Sequence, residues 1–315
     1  VSQSLPKHQE IAEVIDILAT SHLQGKIRAV KLAMTALLAD GHILLEDLPG
    51  LGKTTLALAL ARSLGLSFGR IQCTSDLLPS DITGLSIFNR RDNSFEFLPG
   101  PIFNHFVLVD EINRAMPKTQ SALLEAMEEK RVTVEGKTYP LPEPFLVIAT
   151  QNPADQIGTF PLPESQLDRF LLATGIGYPP AAIEKAIIRA GSIRQHLNEL
   201  PTRLSKEDII ATRQIIKNQV VIADSIIDYI HDLLHASRSH RFVQTGISTR
   251  GGINLAEAAK VVAFLHNRPF VIPEDIQEII LPLGAHRLIL KGEHLGTNKE
   301  DLLRSIIASV AVPRS

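Results

Sequence analysis

A parallel α/β domain followed by a smaller all-α domain is the fold class this sequence predicts, and three observations carry it. Short continuous apolar runs alternate with helical stretches as far as Tyr178-Pro179-Pro180, the pattern of a parallel sheet covered by helices on both faces. Beyond those prolines only helical periodicity follows. At 315 residues the chain is too long for one typical domain and long enough for two with cores of their own.

The elements follow in order. Apolar residues at helical spacing predict helices at 8–20 and 26–39. Strands are expected at 42–46, 70–74, 106–110, 145–150 and 170–175, a five-stranded sheet, with helices at 54–64 and 118–130. Two segments break the rhythm. Residues 85–98 read as a hairpin around the polar turn 90–93, and residues 131–141 as another around Glu135-Gly136-Lys137. Both fall between core elements of an otherwise complete sheet, so they read as insertions projecting from it. Helices then follow at 182–190, 206–217, 224–237, 249–266, 273–283 and 299–310. Ser205 with Asp208 suits a capping box, and Pro273 with Glu274 and Asp275 marks another helix start. The expected division is an α/β domain over 1–196 and a helical domain over 197–315.

Composition narrows the classes. The 44% hydrophobic content and mean hydropathy of +0.11 suit a globular protein. No apolar run approaches the roughly 18 residues that span a bilayer, and the N-terminal stretch does not read as a signal peptide. The balance of 32 basic and 34 acidic residues, net −2, gives no bulk attraction to nucleic acid. Cys73 is alone, so no internal disulfide forms, and no Cys/His cluster has zinc spacing. A reducing, cytoplasmic setting is expected.

Chemistry enters at ILLEDLPGLGKTT, residues 43–55, an apolar strand running into a glycine-rich loop that ends in Gly-Lys-Thr. Glycines let the N–H groups of Gly50, Leu51, Gly52, Lys53, Thr54 and Thr55 converge on a polyphosphate. Lys53 reaches its outer phosphates, Thr54 can join a Mg²⁺ shell, and the following helix aims its positive end at the anion. Asp47 stands where this pattern usually has glycine. Its carboxylate is expected to point away from the phosphates, since facing them would weaken binding.

Four further groups extend that site. FVLVDE, residues 106–111, is a buried strand with two acids at its carboxyl end, where parallel sheets bind ligands. Asp110 is expected to hold Mg²⁺ and Glu111 to polarise a water; Asp-Glu simply opening a turn is the other reading. Asn152, ending FLVIATQN, can link the attacking water or terminal phosphate to those acids, or merely begin a turn with Pro153. Arg169 just precedes the last strand; it fits a guanidinium for phosphoryl transfer and equally an ion pair with Asp168 or another acid. Arg250 follows the N-cap candidate Ser248, where a cation opposes the helix dipole and so needs an anionic partner, such as a nucleotide phosphate, or stands exposed without a role.

Together with TSDLLPSDITG, LPGPIF, VDEINRAMPKTQSALLEAMEE, ATQNP, PLPESQLDRF and STRGG, these segments resemble the MoxR family of AAA+ ATPases over nearly the whole chain. The resemblance implies a P-loop AAA+ core with hairpin inserts and an all-α lid, and ATP with Mg²⁺ as ligands. It implies Lys53 and Thr54 in Walker A, Asp110 and Glu111 in Walker B, Asn152 as sensor 1, Arg169 as an arginine finger reaching a neighbour, and Arg250 as sensor 2. The hairpins match inserts that line a pore in related branches, making Ile87, Phe88, Phe95 and Phe97 candidate substrate contacts beside a plain packing role. Leu23-Gln24-Gly25-Lys26 departs from the family's usual segment beside the adenine.

The function expected is therefore Mg²⁺-dependent ATP hydrolysis by a homo-oligomer, a hexameric ring, that remodels or activates a protein client. Chaperone-like maturation or metal and cofactor loading is implied, often with a von Willebrand factor A domain partner. The alternative is a nucleic-acid-dependent motor or loader, favoured by Arg90-Arg91 and disfavoured by the net charge and the acidic run 125–129. A nucleotide-controlled scaffold that hardly turns over is the third reading, opposed by Glu111, Asn152 and Arg169 all being in place.

Overall fold

The computed structural model describes residues 5–313 apart from Pro49, Asp92, 153–157 and 192–199. Strands β1 (Ile43–Glu46), β2 (Phe68–Gln72), β5 (Phe106–Asp110), β8 (Leu146–Gln151) and β9 (Leu172–Thr174) form one parallel sheet. Their order is β2–β5–β8–β1–β9. Between them lie two antiparallel hairpins, β3 (Gly84–Asn89) with β4 (Ser94–Pro99) and β6 (Arg131–Val134) with β7 (Lys137–Pro140).

Alternate residues of the inner strands feed two cores. Ile43, Leu45, Leu108 and Ile148 join one apolar cluster, and Leu44, Val107, Val109 and Val147 the other. That two-sided burial explains why these strands are continuously apolar. The first cluster takes in α1 (His8–Ile17), α2 (Ile27–Leu38) and α3 (Lys53–Ser63), and runs on into the lid through Leu255, Ile276 and Leu303. The second packs α5 (Pro117–Glu129) on the opposite face.

The structure moves several expected boundaries. Strand β2 starts two residues early and stops at Gln72, because its ladder with β5 runs from Phe68–Phe106 to Gln72–Asp110. Strand β9 omits Phe170, whose N–H turns back to the Leu167 carbonyl at 3.1 Å. The short helices α4 (Pro79–Thr83) and α6 (Glu164–Leu167) hold too few turns to leave a periodic signal. The helix expected over 8–20 ends as a π-helical turn, Leu18–His22, with the Leu23 N–H bonded to the Leu18 carbonyl at 2.7 Å.

After α7 (Ala181–Ala190) the lid is built from α8 (Lys206–Gln219), α9 (Asp224–Ser239), α10 (Thr249–Leu265), α11 (Pro273–Gly284) and α12 (Lys299–Ser309). The Ser205–Asp208 capping box forms, with Asp208 N–H to Ser205 Oγ at 3.2 Å and Ser205 N–H to Asp208 Oδ2 at 2.9 Å. Helical periodicity hid one ribbon here, β10 (Val243–Thr245) against β11 (Ile289–Leu290), which buries Val243 and Leu290. The expected division at 196/197 lies outside the described residues. Among the described residues no helix is long and apolar enough to cross a membrane.

The two hairpins differ in what they cover. Phe97 stacks on Tyr139 at 4.1 Å and 16°, so it joins one hairpin to the other. Phe88 and Phe95 meet edge to face at 5.3 Å while remaining 50% and 65% exposed, and Ile87 beside them is 44% exposed.

Candidate active site

The loop between β1 and α3 carries its geometry in two glycines. Gly50 and Gly52 have φ of 86° and 94°, which a side chain would strain. An added Cβ would meet nothing within 4 Å at either, so conformation rather than crowding requires glycine and the space above the loop stays open. Lys53, Thr54 and Thr55 form the first turn of α3. Lys53 Nζ donates to the carbonyls of Asp47 at 2.5 Å and Leu48 at 3.3 Å. Burial lowers its pKa, and the charges of Asp47, Asp110 and Glu111 oppose that shift.

Asp47 keeps a negative φ, so glycine is not demanded there. Its Oδ2 accepts the N–H groups of Ile176 and, at 3.3 Å, Gly177. Gly175 admits this approach, since a Cβ there would stand 3.1 Å from Asp47 Oδ1. The carboxylate is thus spent on the segment leaving β9.

The two acids sit at the carboxyl end of β5, each held by an arginine. Asp110 Oδ2 accepts Arg70 Nε at 2.8 Å, and its Oδ1 takes the Thr150 hydroxyl at 3.4 Å. Glu111 adopts φ 57° and ψ 51°, the left-handed region that costs a side-chain-bearing residue of order 1 kcal/mol or more. Its N–H donates to Thr150 Oγ1 at 2.9 Å, which helps hold the turn. Glu111 Oε2 accepts Gln72 Nε2 at 3.3 Å and pairs with Arg114 Nε at 3.0 Å. Asn152 follows β8 and is 8% exposed in the same cleft. Next to the acids, burial and the charges of Asp110 and Glu111 push the Cys73 thiol up to about 12, while its N–H bonds the Asp110 carbonyl at 2.9 Å.

Lys53, Thr54, Arg70, Asp110, Glu111 and Asn152 are among the residues lining a cleft of about 890 Å³. Leu23, Gln24 and Lys26, just after the π-helical turn, also line it, as do Tyr178 and Ile187. Lys26 Nζ donates to the Gly177 carbonyl, and burial lowers its pKa. The metal donors available are oxygens, the Thr54 hydroxyl and the Asp110 carboxylate, which suits Mg²⁺, an ion that completes its shell with water and phosphate. Among the described residues no group of three His, Cys, Asp or Glu could cage a metal alone.

Arg169 and Arg250 are not in this cleft's lining. Both bind Glu128, near the end of α5: Arg169 Nε to Oε2 at 3.1 Å and Arg250 Nη2 to Oε1 at 2.9 Å. Asp168, the other partner open to Arg169, is taken instead by the buried Arg287, Nε to Oδ1 at 2.7 Å. Arg287 also donates to the carbonyls of Phe170 at 2.8 Å and Leu171 at 3.1 Å, fastening the lid to the lead-in of β9.

Sequence reasoning named neither the arginines holding the acids nor Glu128. Alternation in β2 could have found Arg70 and Gln72, which share a face, and the (i, i+3) spacing could have paired Arg114 with Glu111. Nothing local to the sequence pairs Glu128 with Arg169 and Arg250, which come from three different elements.

Comparison with known proteins places this geometry. Residues 42–172 match the ATPase family associated with various cellular activities (AAA), and residues 235–306 match the AAA lid domain. The chain is 48% identical over 291 residues to the uncharacterised protein YeaC of Bacillus subtilis, covering 92% of this chain and 91% of that one. It is 37% identical over 302 residues to the chaperone MoxR1 of Mycobacterium tuberculosis, covering 92% and 79%, and 30% identical over 317 residues to MoxR of Paracoccus denitrificans, covering 92% of each. A crystal structure of a Cytophaga hutchinsonii protein superposes with a TM-score of 0.89 at 39% identity, covering 98% of this chain and 96% of that one. With the AAA core, its lid and full-length likeness to named members, this chain belongs to the MoxR family of AAA+ ATPases.

Proposed function

We propose that the ATP hydrolysed by this enzyme is held in the 890 Å³ cleft and attacked there with help from a neighbouring subunit. Lys53 and the N–H groups of Gly50, Leu51, Gly52, Lys53, Thr54 and Thr55 take the phosphates, for which Lys53 leaves the two loop carbonyls. Thr54 and Asp110 would hold Mg²⁺, which would offset charge on the phosphate oxygens. Glu111 takes the proton of the attacking water and Asn152 orients that water. To do so, Glu111 gives up its contacts with Gln72 and Arg114.

The observation that carries this reading is a separation. The phosphate loop, both acids and Asn152 share one cleft, whereas Arg169 and Arg250 gather on Glu128 outside its lining. A phosphoryl-transfer site gains greatly from an added guanidinium, supplied in cis or in trans. With both arginines elsewhere, a second copy supplies it, and a closed ring, hexameric in our reading, gives every cleft such a neighbour. The domain division at 196/197 belongs to this reading, with lid movement re-aiming the inserts during each cycle.

The client is a protein. Phe88, Phe95 and Ile87 offer it an apolar contact on the first hairpin, whereas Phe97 is committed to Tyr139. A chaperone-like role follows the relative named chaperone MoxR1. Its more specific form is maturation or metal and cofactor loading in the cytoplasm, with a von Willebrand factor A domain partner.

The test is complementation. Arg169→Ala and Glu111→Gln are each expected to be nearly inactive alone. Mixed in equal amounts, they regain measurable turnover, because some interfaces pair an intact Glu111 with a neighbour's Arg169. Absence of any recovery at concentrations where the subunits associate would place Arg169 in cis.

A further inference from the structure

Glu128 and Arg250 each stand at the unfavourable end of a helix. An acid in the last turn of α5 faces the helix's negative pole, and that turn contains no basic residue to offset it. Arg250 in the first turn of α10 faces a positive pole, with no acid in that turn. Each placement alone is unfavourable by a few tenths of a kcal/mol or more. Their pairing at 2.9 Å answers both. The same carboxylate's second oxygen takes Arg169 from the α/β domain.

How the arginines are gripped matters more than that they are gripped. Glu128 Oε2 lies 3.1 Å from Nε of Arg169. Its other oxygen, Oε1, accepts Nη2 of Arg250 at 2.9 Å. One carboxylate against two guanidiniums leaves the cluster with a net positive charge that attracts a second anion. The Arg169 side chain is 28% exposed and that of Arg250 54%, so such an anion can reach them from outside.

We propose that Glu128 is a positioning residue for ATP hydrolysis, joining Arg169 of the α/β domain and Arg250 of the lid into one donor unit for a neighbouring subunit's transferring phosphate. This rests on the reading that both arginines act in trans. Because the two guanidiniums come from different domains, the unit exists only while the lid holds the position that brings Arg250 onto Glu128. Lid position and the competence of the next subunit's site are then the same variable.

The test compares steady-state kinetics of Glu128→Gln, Glu128→Asp, Arg169→Ala, Arg250→Ala and the double variant Glu128→Gln/Arg169→Ala, with thermal unfolding and ATP binding measured for each. For Glu128→Gln we expect kcat to fall about tenfold or more, as misaimed groups produce, while KM for ATP stays within about twofold. Glu128→Asp is expected to recover part of the loss, and the double variant to be no slower than Arg169→Ala alone. An unchanged or raised kcat in a folded Glu128→Gln would overturn the inference, as would losses that multiply in the double variant. If Glu128→Gln does not fold, the same comparison with Glu128→Asp decides. Failure of the underlying reading looks different: Arg169→Ala and Arg250→Ala, each mixed with Glu111→Gln, would then regain no turnover, whatever Glu128→Gln does.

Discussion

The acid and arginine groups in the cleft and those around Glu128 differ in stoichiometry. In the cleft, Asp110 and Glu111 each meet one guanidinium, from Arg70 and Arg114. Outside the cleft's lining a single carboxylate, Glu128, meets two. The first cluster is balanced, so admitting a phosphate and a metal means rearranging pairs already made. The second carries a net positive charge, which favours an incoming anion. One is built to be opened by its ligand and the other to be presented to one. This difference suits a site shared between copies better than a site complete in one chain.

The strongest way to break the comparison is to neutralise an acid in the cleft. Glu111→Gln is expected to lower kcat by about 10³, near 4 kcal/mol, with ATP binding retained, because a general base is lost and the phosphate loop is not. Single-turnover kinetics with labelled ATP measures this, and turnover within about tenfold of the parent would remove Glu111 from water activation.

A smaller effect, about 3 kcal/mol at most, concerns the support behind the outer cluster. His42 is buried and its pKa is lowered to about 4 by desolvation. Val147 N–H donates to its Nδ1 at 3.1 Å, so Nε2 carries the proton given to the Met127 carbonyl at 3.2 Å, one residue before Glu128. The unfolded chain binds a proton on this histidine near pH 6.5 and the folded one only near 4. Stability from His42 is therefore complete above pH 6.5 and drains away as pH falls toward 4. His286, pushed the same way by burial, adds to that slope. Urea unfolding at a series of pH values checks it, with a flatter slope expected for His42→Gln.

The smallest effect is expected at Asp47. Asp47→Gly removes the acceptor for the Ile176 and Gly177 N–H groups and should lower stability by about 1 to 2 kcal/mol, with ATP affinity changed less than about tenfold. Greatly tightened ATP binding would mean that the carboxylate acts on the phosphates after all.

The sheet, the inserts and the cleft were legible in the sequence because each rests on a local cue. Ile43, Leu44 and Leu45 form an unbroken apolar run because the sheet buries them on both faces, and such a run reads as an inner strand however short it is. Lys53, Asp110 and Asn152 could be brought together because strand carboxyl ends in a parallel sheet share one edge. The outer cluster was not legible. Glu128 looks like one acid among several at the end of α5, and its partners lie 41 and 122 positions along the chain, on the turn before β9 and the first turn of α10. The lid ribbon was missed for the same kind of reason, since Val243 and Leu290 pair across much of the lid's length.

Cys73 gives this molecule a built-in reporter. Its thiol is buried and held at about 12 beside Asp110 and Glu111, so modification by thiol reagents requires the β2 edge of the sheet to open. The rate at which the native protein is labelled is then a measure of how often that edge comes apart. Nucleotides that draw the two acids into a closed site should slow that labelling, with no engineered probe needed.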